Sequence, residues 1–145
     1  MCMAHEKRCE CGARSASFHF KDNIMPEQVV ERFYCPACSP GAAFDPAAMV
    51  SDNGWIVVYD MEAARLLAKD GLAARLTPEV LFDEGLCTWN GMYPGDHIDS
   101  VRERESITAL AKTNPREYIQ RLKSWANERM ERLRSEGWRK ARNAA

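Results

Sequence analysis

The stretch CECGARSASFHFKDNIMPEQVVERFYCPAC, residues 9–38, opens on one pair of cysteines and closes on another. Between them, Ala16-Ser17-Phe18-His19-Phe20 alternates small or aromatic residues with polar ones at period two, the pattern of a half-buried strand. Lys21-Asp22-Asn23 carries turn chemistry. Val29-Val30-Glu31-Arg32-Phe33-Tyr34 is rich in β-formers and runs directly into Cys35. Val29, Val30 and Phe33 also fit one face of a short helix starting at Pro26, a rival reading. The strand is preferred because a hairpin of 16–20 with 29–34 brings both cysteine pairs to its open ends.

Outward from this segment the signals are conventional. Ser39-Pro40-Gly41 and Asp45-Pro46 break the chain. Ala48-Met49-Val50, the turn Ser51-Asp52-Asn53-Gly54 and the run Trp55-Ile56-Val57-Val58-Tyr59 predict a second hairpin, since Asn-Gly tolerates positive φ at both turn positions. The run from Trp55 to Tyr59 is apolar throughout, as a central strand covered on both faces would be. Asp60 caps a predicted helix over 61–70, with Gly71 as its stop. Thr77-Pro78 starts a short helix ending near Gly85. Leu86 to Gly95 reads as a structured loop. Asp96 caps a helix to about Lys112, and Asn114-Pro115 opens the longest one, 115–136. Its predicted apolar face is Tyr118, Leu122, Trp125, Ala126, Met130 and Leu133. Gly137 ends it, and 138–145 reads as a basic tail that frays. The fold class is α+β: a metal-bearing hairpin module over 1–40, then a small antiparallel hairpin or sheet and a helical half over 41–145.

The chain has 145 residues, 46% of them apolar and 28% charged, enough for one compact unit with a core. No run approaches the roughly 20 apolar residues of a membrane helix, and the N-terminus lacks the apolar core of a signal peptide. The expected compartment is the cytoplasm, with no membrane contact. In that reducing setting closely spaced thiols point to metal or redox chemistry rather than disulfides. Of six cysteines, four fall into the two pairs while Cys2 and Cys87 stand alone. Charge is unevenly spread: residues 1–100 hold 8 Lys/Arg against 15 Asp/Glu, and 101–145 hold 12 against 6. Such asymmetry suits either a basic tail for an acidic partner or two halves that dock on each other.

Zinc takes four ligands in a tetrahedron, and two tight turns each carrying two thiolates supply them. Gly12 gives the first turn backbone freedom and Pro36 stiffens the second. With this pair–hairpin–pair layout, residues 5–40 resemble the zinc-ribbon family, and Cys35-Pro36-Ala37-Cys38 resembles one knuckle of a rubredoxin. The first pair is C-x-C where both families usually have C-x-x-C, a departure that weighs more against rubredoxin's two near-symmetric loops. The resemblance implies Cys9, Cys11, Cys35 and Cys38 as ligands of one zinc ion, with iron as the alternative. Four thiolates leave no open position, so such a site is structural. Two other readings stand beside it: buried thiols packing as small hydrophobes, and a redox dithiol. Ser39-Pro40-Gly41 after Cys38 argues against the helix a redox C-x-x-C would open. His5 and Cys2 are substitute ligands in principle but are assigned to a mobile terminus, and His19 to a strand surface or to support around the site.

Asp96, His97 and Asp99, preceded by Trp89 and Tyr93, form the other polar-aromatic cluster. It reads as a helix N-terminus over core aromatics, or as a small-ligand, second-metal or enzyme site that would need a pocket holding His97 beside a carboxylate. No phosphate loop, G-x-S-x-G or H-E-x-x-H occurs, and Cys87 reads as core, so an enzyme is the less favoured class. Arg121, Arg129, Arg132, Arg139 and Arg142 offer a basic face to a protein or nucleic-acid partner, although interspersed glutamates also suit a solvated helix. The expected function is a metal-binding interaction or regulatory module; the alternative is a rubredoxin-like iron or thiol-redox electron carrier.

Overall fold

A computed structural model describes residues 3–21, 25–68 and 71–143. It is an α+β fold with two small antiparallel sheets and five α-helices among those residues. The first sheet has the order β1 (Met3–Arg8), β2 (Ser15–Phe20), β6 (Cys87–Trp89). The second has the order β3 (Val30–Tyr34), β5 (Trp55–Tyr59), β4 (Met49–Asp52). The helices are α1 (Met61–Leu67), α2 (Pro78–Asp83), α3 (Asp96–Thr108), α4 (Pro115–Glu136) and α5 (Arg139–Asn143).

Both predicted strands around the cysteines form, but they do not pair with each other. β2 pairs with the N-terminal segment, Arg8 opposite Ser15 and Met3 opposite Phe20, so residues 9–14 become a hairpin loop. β3 instead pairs with β5, with a bulge between Val30 and Arg32. The rival helix from Pro26 amounts to a single 3-10 turn, Glu27–Val29, and the preferred strand follows it. The stretch expected to be mobile around His5 is therefore a strand. Cys2 lies outside the described residues. Strand pairing crosses residue 40 in both sheets, through β2 with β6 and β3 with β5.

The central position of β5 is as its composition demands. Trp55, Val57 and Tyr59 face the main core, while Ile56 and Val58 join Met49 in a smaller cluster on the opposite face, flanked by Tyr34 and Ala42. The Asn53-Gly54 turn has positive φ at both residues, the geometry that matches strand twist in a two-residue hairpin. An aromatic group joins the two sheets: Phe18 of the first meets Phe33 of the second at a centroid distance of 5.6 Å, and Trp89 of the first meets Trp55 of the second at 5.9 Å. The Tyr59 hydroxyl donates to the Cys87 carbonyl at 2.6 Å, a direct bond between the sheets. Such packed aromatics bury large areas and carry much of the core's stability.

The Leu86–Gly95 loop contains the short strand β6, which the density of Gly, Pro and Asn conceals. Thr77 and Asn114 cap α2 and α4 through side-chain oxygens as expected. Asp60 caps α1, which ends at Leu67 rather than 70. At α3 the cap is Gly95, not Asp96. Asp96 instead turns inward, accepting from the Met92 amide at 2.8 Å and from Arg129 of α4. Of the predicted α4 face only Leu133 is fully buried; Tyr118, Leu122, Trp125 and Met130 are half-buried and Ala126 is exposed.

Residues 138–143 do not fray, and 144–145 lie outside the described residues. Trp138 is buried and stacks on Tyr93 at 5.4 Å, and α5 follows. The buried Asp52 carboxylate ties this end to the core, accepting from Trp89 Nε1 at 2.7 Å and from the Arg139 amide at 2.9 Å. Burial raises the pKa of Asp52, against the lowering effect of those two donors. Arg139 pairs with Asp83 at 2.6 Å, and Lys140 donates to the carbonyls of Trp89 and Gly91. The basic C-terminus thus docks on the acidic half of its own chain.

Gly91 sits at this junction with φ of +111°, and a Cβ there would lie 2.6 Å from Asp96 Oδ2. Gly91→Ala therefore meets both an unfavourable backbone region and a clash with a buried carboxylate. The expected loss is about 3 kcal/mol, read from the urea midpoint. A loss below about 0.5 kcal/mol, the range of an inert surface substitution, would contradict this packing.

Candidate metal centre

Two turns from two different sheets converge here. The first is the β1–β2 loop. Its neck is closed by Cys9 N–H donating to the Arg14 carbonyl at 2.8 Å, and its tip by Gly12 N–H donating to the Cys9 carbonyl at 2.8 Å. Gly12 has φ of +74°, a left-handed conformation that costs glycine little and other residues roughly 1–2 kcal/mol. This places Cys9 inward, 4% exposed, and Cys11 outward at the exposed tip.

The second turn follows β3. Cys38 and Ser39 amides both donate to the Cys35 carbonyl, at 3.1 and 2.9 Å, and a 3-10 turn over Ser39–Gly41 continues the chain away. A β-carbon on Gly54 would lie 3.4 Å from the Pro36 ring, so this knuckle rests against the β4–β5 turn. Cys35 is fully buried and Cys38 half-buried.

The four Sγ atoms all lie within 4.8 Å of one another. Cys9 and Cys38 are separated by 3.1 Å, Cys11 and Cys35 by 3.6 Å, and Cys35 and Cys38 by 3.6 Å. A tetrahedral ion with metal–sulfur bonds of about 2.3 Å sets its sulfurs roughly 3.8 Å apart, slightly more than these three separations and within the 4.8 Å that bounds all six. The Cys35 amide also donates to Cys9 Sγ at 3.1 Å, a contact that orients this sulfur. Among the described residues these cysteines are the one group of three or more His, Cys, Asp or Glu close enough to share an ion.

Thiols this close titrate apart. Burial, then the Cys9 and Cys35 thiols, push Cys38 up to about 12. Cys35 is brought down to about 6: burial opposes the change, but the Ala37 amide, the Cys11 thiol, the Cys38 amide and the Cys9 thiol outweigh it. Four adjacent thiolates repel one another, and a cation at their centre removes that repulsion.

No family model, curated protein or solved structure matches this chain.

The other singled-out residues do other work. His5 Nδ1 meets Glu27 at 2.9 Å and its ring packs edge-on against Phe20, away from a ligand role. His19 is half-buried on β2. Cys87 is fully buried in β6, and burial raises its thiol pKa, which leaves it inert as a nucleophile. Trp89 belongs to the core, Tyr93 donates to Asp99 at 2.8 Å, and Asp96 binds Arg129. A groove along α3 is lined by Ile98, Val101, Arg102, Glu105 and Thr108; His97, Asp96 and Asp99 are not among its walls.

Four of the five candidate arginines are paired within the chain: Arg121 with Glu117, Arg129 with Asp96, Arg132 with Glu103, Arg139 with Asp83. Arg142 is exposed on α5. What sequence reasoning missed is the source of the first turn. Residues 3–8 are strongly polar, and their strand character shows only in pairing with β2. Among the described residues no helix is long and apolar enough to cross a membrane.

Proposed function

We propose that this chain is a small zinc protein of the reducing cytoplasm, whose four-cysteine centre is structural and whose surface serves as an interaction or regulatory module. One observation carries the metal reading: four sulfurs from two turns, each turn on a different sheet, lie within 4.8 Å of one another. A closed set of four thiolates leaves no position for water or substrate, and its contribution is a cross-link between turns distant in sequence. Zinc is preferred because it accepts this ligand set without a geometric demand of its own.

Elemental analysis of protein purified without added metal tests this. About one zinc per chain is expected, colourless and redox-silent. A coloured, reducible centre would assign iron and the electron-transfer class instead; metal-free protein that stays folded would remove the reading.

A protein partner is favoured over nucleic acid, because Arg121, Arg129, Arg132 and Arg139 are already neutralised by acids of the same chain. Phosphate binding needs free cations and shows steep salt dependence. A gel-shift titration at about 50 mM salt is expected to show no retained nucleic acid, and a shift that weakens at about 200 mM would reverse the preference.

A further inference from the structure

We propose that peroxide opens the four-cysteine centre, oxidising Cys11 first and closing it onto Cys35. The proposal rests on the metal reading above and adds to it a way of releasing the ion. Its basis is the unequal access of the four sulfurs. Cys9 is 4% exposed and Cys35 0%, Cys38 is half-buried, and Cys11 stands exposed at the tip of its turn. Oxidation of thiolates follows exposure, so an oxidant arriving from solvent meets Cys11 before the others.

The resolving partner is set by distance. Cys35 Sγ lies 3.6 Å from Cys11 Sγ, whereas Cys9 and Cys38 face each other at 3.1 Å. Closing the first pair to a bond length of about 2.05 Å asks for a shift of roughly 1.5 Å. The Cys11 side chain supplies it by rotation, because it is exposed at the tip of the loop beyond the β1–β2 ladder, which ends at Arg8 opposite Ser15.

The steps balance. The Cys11 thiolate attacks one peroxide oxygen, the O–O bond breaks, and hydroxide leaves to be protonated to water; Cys11 is now a sulfenic acid. The Cys35 thiolate then attacks the Cys11 sulfur, forming the S–S bond and expelling a second hydroxide, also protonated to water. Two thiolates have given two electrons to one peroxide. The ion keeps only Cys9 and Cys38, half of its ligand set, and is released.

The test uses the full chain after its metal content has been measured. Peroxide is added in stoichiometric steps, released metal is read with a chromogenic chelator, and disulfides are mapped by mass spectrometry after alkylation. The expected result is about one ion released per chain, tracking a first disulfide between Cys11 and Cys35. Metal retained under excess peroxide, or a first disulfide joining any other pair, overturns the proposal. A chain purified without metal would defeat the functional reading separately. The map on that chain still discriminates, since a first link other than Cys11–Cys35 again overturns the order of oxidation.

Discussion

Cys35→Ser is expected to abolish metal retention and lower the melting temperature by about 15 °C, the consequence of losing on the order of 5 kcal/mol. Three effects add at this position. One of four ligands is replaced by a hydroxyl that binds zinc poorly. That hydroxyl is fully buried, where a polar group without a partner costs roughly 1–3 kcal/mol. The remaining three thiols then lose the cation that held the β1–β2 loop to the end of β3. Cys11→Ser removes a ligand too, but at the exposed tip of the loop, so its thermal shift is expected to be clearly smaller. Strong chelation of the unaltered chain removes the ion but not the Cys35 thiol, so its melting temperature should fall most of the way and stop short of the Cys35→Ser value by the hydroxyl's share. Elemental analysis with thermal melts on both variants decides the matter. Full metal content in Cys35→Ser, with a melting temperature within a few degrees of the parent, would refute the centre as a structural cross-link.

The four-cysteine cluster was legible because its chemistry is local: C-x-C-Gly and C-P-A-C each announce a tight turn whatever surrounds them. The same holds for Asn53-Gly54, Thr77-Pro78 and the span from Asn114-Pro115 to Gly137, all of which form as their residues dictate. What the sequence hid was long-range pairing. Ser15–Phe20 shows a strand but not its neighbours, and the true ones are the charged edge strand Met3–Arg8 and the three-residue Cys87–Trp89. The first lacks apolar alternation because it is an edge; the second is too short to display a period. Trp138 to Asn143 reads as a loose basic tail until its partners are known. Asp52, Asp83 and the Trp89 carbonyl lie 51 or more residues away, and only the fold delivers them. The uneven charge was the available clue, and it reflects docking of one half on the other.

That docking yields the other large effect. Asp96 and Arg129, with side chains 6% and 13% exposed, form an ion pair between the start of α3 and α4, and the guanidinium also lies over the Trp125 ring at 5.5 Å. Removing one member of a buried pair strands the other charge, so Asp96→Ala is expected to cost about 3–5 kcal/mol. The Met92 amide, which donates to the same carboxylate, loses its acceptor as well. Arg129→Met should cost less, because the thioether side chain keeps contact with Trp125 and leaves an acid that can protonate or take up water. Combining Asp96→Ala with Arg129→Met removes both charges, and the double variant is expected to be more stable than Asp96→Ala alone by roughly 1–3 kcal/mol. Urea unfolding of the three variants and the parent gives the coupling directly. Additive losses would mean that the pair does not hold α3 to α4, and Arg129 would then be free to serve the partner surface rather than the fold.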